Sequence, residues 1–297
     1  MKYLSLFSGI GGFELGIQNS DVEMECIGFS EIDKNAKSIY RRRFPNHRDL
    51  GDATKIRPGE LPDFDLLVAG FPCQSFSIAG TRGGLNDTRG TLFFEIARIC
   101  EEKKPQYLLL ENVLGLLSDD GGRTFKTFLG ILSKMGYFIQ WEVCNSKNHG
   151  VPQNRERLFI KGYLGGRGRP EVLDIGGGQD RDSGEGREEA PGIDVIVPGK
   201  QATRIMSLDG ASMTLCGNAG GLGGKTGLYA FPRDDGDFDV RRLSPVEAER
   251  LQGFPDDWTR LGVDGEEISD TQRFRCVGNA VTTHVITHLI NRMFSPV

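Results

Sequence analysis

The first half of the chain is marked by short apolar runs, each stopped by glycine, proline or a carboxylate. Residues 3–7, 26–29, 66–68 and 107–110 are uniform enough in apolar character to read as buried strands. Residues 137–144 and 158–160 extend the series. Between these runs the apolar spacing changes to a helical one: from Phe13 to Ile17, from Leu92 to Ile99, and from Phe125 to Met135. Ser244-Pro245-Val246-Glu247 is a capping box that opens a helix running to Leu251, with Gly253-Phe254-Pro255 closing it. Val277-Gly278-Asn279-Ala280-Val281 leads into a C-terminal helix whose apolar face carries Val285, Ile286, Leu289 and Ile290. Strands alternating with helices predict an α/β fold with a parallel sheet.

The pattern breaks at Gly165. Residues 165–192 are rich in glycine and charge, including Asp180, Asp182, Glu185, Glu188 and Glu189, and read as a linker or insertion. Regular patterning resumes at Ile193. The 297 residues therefore divide into a large domain (1–165 plus 272–297) and a smaller, loop-rich one with its hinge (166–271).

Composition narrows the chemistry. Six cysteines without a Cys-x-x-Cys pair, and four histidines, argue against zinc and against a disulfide scaffold. The apolar stretch at the N-terminus is too short for a signal peptide or a membrane span, so a cytoplasmic protein without a membrane partner is expected. A net charge of −5 argues mildly against nucleic acid, although local basic patches decide such contacts.

Four strand ends carry candidate chemistry. Ser8-Gly9-Ile10-Gly11-Gly12 follows the first strand, and Glu31 ends the second, about 20 residues beyond the loop. Strand, glycine loop, helix and spaced acid make a nucleotide-binding opening. Glu14 occupies the third glycine's place, and a carboxylate in the first helical turn would repel a pyrophosphate. S-adenosylmethionine, with a ribose and an adenine but no phosphate, suits the loop better than a nicotinamide dinucleotide. Asp52 either bonds an adenine amino group or caps the next turn. Cys73, in Gly70-Phe71-Pro72-Cys73-Gln74, sits just past the end of the third strand, where a thiolate could act as a nucleophile. Glu111 ends the fourth strand at the same sheet edge, where burial would make it a proton donor. Arg155 and Arg157 alternate along an extended segment, so both should point to one face.

In their order these motifs resemble the bacterial DNA (cytosine-5)-methyltransferases. The resemblance is carried by Phe7-Ser8-Gly9-Ile10-Gly11-Gly12, the Pro72-Cys73 segment, Arg89-Gly90-Thr91-Leu92-Phe93-Phe94 and Glu111-Asn112-Val113. Gln153-Asn154-Arg155-Glu156-Arg157, residues 242–255 and Gly278-Asn279-Ala280-Val281 complete it. It spans nearly the whole chain apart from about residues 165–200. It implies a Rossmann-like S-adenosylmethionine-dependent methyltransferase domain with a smaller target-recognition domain. By that resemblance Cys73 adds to C6 of a flipped-out cytosine and Glu111 holds the base at N3 and its exocyclic amine. Arg157 contacts the base carbonyl and orients Glu111, while Arg155 supports the catalytic loop and favours the thiolate. The cofactor would lie on Phe7, Gly9, Ile10, Gly11, Ile32 and Ala53, with Glu31 on the ribose, Asp52 on the adenine and Asn279, in the final helix, returning to the pocket.

Recognition would fall to about residues 166–240. Thr214-Leu215 matches the family's Thr-Leu pair, Gln201 stands where some relatives fill the gap left by the flipped base, and Arg204 is a candidate guanine reader. Lys225 lies on a glycine-rich loop suited to phosphate contact. Ala79 departs from a serine that one relative places in the DNA. The implied partner is double-stranded DNA, met by a monomer, with a restriction endonuclease acting separately or absent, as in an orphan or phage enzyme. Two other classes compete: a tRNA cytosine-5 methyltransferase, and a catalytically inactive DNA-binding module.

Overall fold

The apolar runs pair into one six-stranded sheet. In chain order the large part contains β1 (Lys2–Leu6), α1 (Gly12–Gln18), β2 (Glu25–Ser30), α2 (Lys34–Arg43), β3 (Leu66–Gly70) and α3 (Leu92–Lys103). It continues with β4 (Tyr107–Val113), α4 (Arg123–Lys134), β5 (Tyr137–Asn145), β6 (Gln153–Asn154) and β7 (Glu156–Leu164). The short strands β8 (Val195–Val197), β9 (Ile205–Met206), β10 (Ser212–Met213), β11 (Leu228–Pro232) and β12 (Phe238–Arg241) follow. The chain ends with α5 (Pro245–Leu251), α6 (Asp270–Asn279) and α7 (Thr283–Phe294). This computed structural model describes residues 1–71, 92–165, 192–199, 203–217, 224 and 226–294.

The sheet order is β2-β1-β3-β4-β7-β5. Neighbours from β2 to β4 run parallel, and β7 runs antiparallel to both β4 and β5. From β1 the chain moves outward to β2, then returns to place β3 on the other side of β1. That reversal creates a crevice at the carboxyl ends of β1 and β3, where open α/β sheets bind ligands. The glycine loop leaves β1 there, and the segment leading to Cys73 leaves β3.

Alternation along each strand divides the core into two layers. Leu4, Leu6, Leu67, Ala69, Leu108 and Leu110 face α3 and α4. Tyr3, Leu66, Val68 and Leu109 face α1 and α7. The two helices on that side approach closely: a Cβ on Gly16 would lie 2.5 Å from Ile286 Cβ and 2.8 Å from the Thr283 carbonyl. The fold is α/β and Rossmann-like, with a smaller, loop-rich part. In the smaller part, β12-β11-β9-β8 form a four-stranded sheet, while β10 pairs with β6 in a separate parallel ribbon.

Two sequence expectations need adjustment. Asn279 is not in the final helix: it ends α6, and Ala280 is extended (φ −73°, ψ 155°) before α7 begins at Thr283. Glu14 does not face the glycine loop. It is fully buried with neither carboxylate oxygen hydrogen-bonded, and burial lifts its pKa to about 7, so it carries less charge at neutral pH than a surface carboxylate would. Residues 244–271 pack on the first βαβ unit. Trp258 Nε1 donates to the Ile10 carbonyl at 2.9 Å, and Arg43 donates to the Trp258 carbonyl at 2.8 Å.

Candidate active site

Glu111 lies on β4 directly opposite Gly70 of β3. A Cβ on Gly70 would stand 3.4 Å from Glu111 Oε2, so the bare glycine leaves room beside the carboxyl. Arg157 pairs in register with Val113, two residues from Glu111 and therefore on the same face. Its Nε lies 3.1 Å from Glu111 Oε1. Burial pushes the Glu111 pKa up, and the charges of Arg157 and Arg155 offset this only in part. The result is a carboxyl that holds a proton more tightly than a surface glutamate and is aimed into the crevice.

Asn112 faces the other way and fixes the approach to this group. It is 1% exposed, its Nδ2 donates to the Phe71 carbonyl at 3.0 Å, and its Oδ1 accepts from the Val113 N–H at 2.8 Å. The chain leaving β3 is thereby pinned to β4 two residues before Cys73. Cys73 itself lies outside the described residues. Asn112 was legible only as part of a motif, because nothing in its spacing shows which carbonyl it meets.

Arg155 precedes β7 and is committed to backbone carbonyls. Nη1 donates to the Leu215 carbonyl at 3.2 Å, and Nη2 to the carbonyls of Gly278 at 3.1 Å and Ala280 at 2.8 Å. Burial lowers its pKa, but three carbonyl acceptors favour the charged guanidinium. The arginine acts as a clamp across three chain segments, within electrostatic reach of Glu111 and Arg157.

At the neighbouring strand ends, Glu31 gathers three backbone N–H groups. Oε2 accepts from Gly9 at 2.8 Å, and Oε1 from Ile32 and Asp33 at 2.7 Å each. Phe7 (φ 55°) and Gly9 (φ 57°) both take left-handed conformations, a costly choice for a bulky residue that tightens the turn after β1. A carboxylate offers about four acceptor positions. Three are taken, leaving one for a further donor. Ile32 is 73% exposed beside this carboxylate and presents an apolar face. Asp52 caps the next turn through Oδ1, which accepts from the Thr54 N–H at 3.0 Å and the Thr54 hydroxyl at 2.8 Å. Ala53 is buried, and its carbonyl accepts from Arg98 at 3.1 Å. Ile10 is buried in the shared core with α5 and α6. Gly11 caps α1 in a left-handed conformation (φ 88°). Asn279 is one turn past Arg275, which pairs with Asp33 at 3.0 Å, so α6 lies along the same crevice.

Of the recognition candidates, Gln201 and Lys225 lie outside the described residues. Thr214 Oγ1 donates to the Asn154 carbonyl at 2.7 Å, inside the protein. Arg204 donates from Nε to the Gly199 carbonyl at 3.1 Å and lies against Met213 Sδ at 3.7 Å. Among the described residues no group of three or more His, Cys, Asp or Glu could hold a metal ion. No described helix is long and apolar enough to cross a membrane.

Comparison with known proteins gives a consistent picture. The profile of the C-5 cytosine-specific DNA methylase family matches residues 1–174 and 223–295. The chain is 34% identical to the type II methyltransferase M.NlaX of Neisseria lactamica, over 98% of this chain and 96% of that one. It is 44% identical to the type II methyltransferase M.NgoBV of Neisseria gonorrhoeae over 58% of this chain, a stretch spanning only 43% of that relative's length. Among solved structures, Spodoptera frugiperda DNMT2 superposes with a TM-score of 0.76 at 21% identity, over 99% of both chains, a likeness of fold.

Proposed function

The chain belongs to the C-5 cytosine-specific DNA methylase family, and from that premise we propose that it methylates C5 of cytosine within a specific duplex DNA sequence, using S-adenosylmethionine. The observation that carries this reading is the buried Glu111 carboxyl held by Arg157 at the end of β4, opposite the strand that leads to Cys73.

Cytosine C5 is a poor nucleophile, and the base must leave the stack to be reached. The Cys73 thiolate forms a bond to C6 while the Glu111 carboxyl gives a proton to N3. This moves electron density to C5. S-adenosylmethionine supplies the methyl group as an electrophile on a cationic sulfur. A base then removes the C5 proton, the C6–sulfur bond breaks, and the thiolate leaves with N3 returning its proton to Glu111. Arg157 keeps Glu111 aimed at N3 and contacts the base carbonyl. Glu31, Asp52, Ile32, Ala53, Asn279 and the Phe7–Gly11 turn hold the cofactor, with Glu31 receiving ribose at its remaining acceptor position. Ile32 supplies an apolar face for the adenine. Arg155 supports the site through the segments that it clamps, and its charge favours the thiolate. Gln201, Arg204, Thr214 and Lys225 belong to the part that meets DNA. A genome-encoded endonuclease partner and an orphan enzyme are both compatible with this chemistry.

Bisulfite sequencing of DNA from a methylation-free host expressing the chain tests the reading, with Cys73→Ala as control. The expected result is protected cytosines in one short recurring sequence, absent from the control. Full conversion throughout the DNA, with methyl incorporation into tRNA instead, would transfer the activity to the tRNA branch. Tight DNA binding without any methyl transfer would support the inactive binding module.

A further inference from the structure

Between the recognition segment and the Glu111–Arg157 pair runs one short piece of chain, residues 153–157. Its first residue is built into both sides. Gln153 is 0% exposed and uses both ends of its amide. Oε1 accepts from the Leu215 N–H at 3.0 Å, and Nε2 donates to the Leu251 carbonyl at 2.8 Å. Leu215 follows β10, and Leu251 is the last residue of α5. Turning the amide over would exchange donor and acceptor and break both bonds, so the side chain permits one arrangement.

The surroundings leave that arrangement little slack. Gln153 and Asn154 pair with Ser212 and Met213, and Thr214 Oγ1 holds the Asn154 carbonyl. Arg155 takes the carbonyl of the same Leu215 whose N–H Gln153 holds. Beyond it, Gly217 packs on α6 backbone to backbone: a Cβ on Gly278 would lie 2.6 Å from Gly217 N and 2.8 Å from Cys216 C. A second buried amide, Gln252, continues the network, donating to the Val277 carbonyl at 3.1 Å and accepting from Thr282 Oγ1 at 2.6 Å. Two residues beyond Arg155, Arg157 meets Glu111. A buried polar network of this kind shifts between discrete arrangements rather than stretching.

We propose that Gln153 is a positioning residue that couples sequence recognition to methyl transfer. Its amide fixes the 212–217 segment relative to Arg157. DNA of the wrong sequence that displaces this segment also misplaces Arg157 and Glu111, and transfer slows. This inference rests on the methyltransferase reading above.

The test uses the full-length protein and oligonucleotide duplexes carrying either its own sequence, as found by bisulfite mapping, or single-base changes of it. Single-turnover rates give the ratio of own-sequence to altered-sequence methylation. Gln153→Glu keeps the shape but loses the donor to Leu251, and Gln153→Met removes both bonds. Each should lower the ratio at least tenfold while the S-adenosylmethionine Kd stays within twofold. Ile290→Val, a core truncation on α7 that weakens the fold elsewhere, should leave the ratio unchanged. A ratio within twofold of the wild type in Gln153→Met overturns the proposal, as does an equal fall in Ile290→Val. A second measurement needs no variant. Hydrogen exchange at the Leu215 amide should slow at least tenfold more with own-sequence DNA than with altered DNA, and equal protection by both overturns the coupling. A wild-type protein that methylates no duplex removes the parent reading itself, an outcome distinct from an unchanged ratio in an active enzyme.

Discussion

Replacing Glu14 with glutamine should remove most of one slope in the pH dependence of stability. The carboxyl is fully buried on α1 and neither oxygen has a hydrogen-bond partner. The hydroxyls nearest in effect are engaged elsewhere, Ser5 Oγ with Ser8 Oγ at 2.8 Å and Tyr40 OH with His47 Nδ1 at 2.9 Å. Tyr3, Cys26 and Tyr40 also surround it, and burial keeps all three neutral by raising their pKa values. Burial is the dominant cause of the rise of Glu14 from 4.5 to about 7. At about 1.36 kcal/mol per pH unit, the rise corresponds to about 3 kcal/mol. The folded state binds this proton more tightly than the unfolded state. The stabilisation is therefore complete below pH 4.5 and is lost as pH rises through about 7. The assay is urea unfolding of wild type and Glu14→Gln at several pH values from 4.5 to 8. The difference in unfolding free energy between them should move in favour of the variant by about 3 kcal/mol across that range. Because other groups titrate equally in both proteins, the difference isolates Glu14. Parallel profiles for the two proteins would refute the reasoning.

The remaining predictions concern the crevice. Asn112→Ala leaves the buried Phe71 carbonyl without its donor, so stability should fall by about 1–3 kcal/mol in urea titrations, and methyl transfer should drop more than cofactor binding. Glu31→Gln keeps the shape but weakens three charge-assisted bonds from Gly9, Ile32 and Asp33, and calorimetry should show S-adenosylmethionine affinity reduced about tenfold or more. Gly278→Ala drives a Cβ against backbone atoms of Cys216 and Gly217, and its thermal unfolding should reveal a loss of about 1–3 kcal/mol.

Much of this architecture is readable along the chain, and the reason is local. β1, β3 and β4 are covered on both faces, so each appears as an unbroken apolar run. Glu31, just past β2, and Glu111, near the end of β4, are then placed by strand length alone. What escapes the sequence depends on distant partners or on helical phase. Arg155 reads like Arg157, yet its partners lie 60 to 125 positions away and are backbone carbonyls, which any residue could supply. Glu14 looks like a first-turn carboxylate near a loop, and only the angle at which α1 leaves Gly11 turns it into the core. The break between α6 and α7 is similarly hidden, because the apolar residues on either side, Val277 and Val281, suit one continuous helix. Strands β9 and β10 have two residues each, too few for any period to show.

The covalent role of Cys73 is the centre of the account, and the most direct test replaces the C5 proton by fluorine. Duplex DNA with 5-fluorocytosine at the target position is incubated with the protein and S-adenosylmethionine. After methyl transfer no proton remains at C5 for a base to remove, so the sulfur cannot be expelled. The account predicts a stable protein–DNA adduct that maps by mass spectrometry to Cys73 and C6, forms only with cofactor, and is absent from Cys73→Ser. Methylation of ordinary cytosine by a protein that forms no such adduct, or an adduct on another residue, would contradict it.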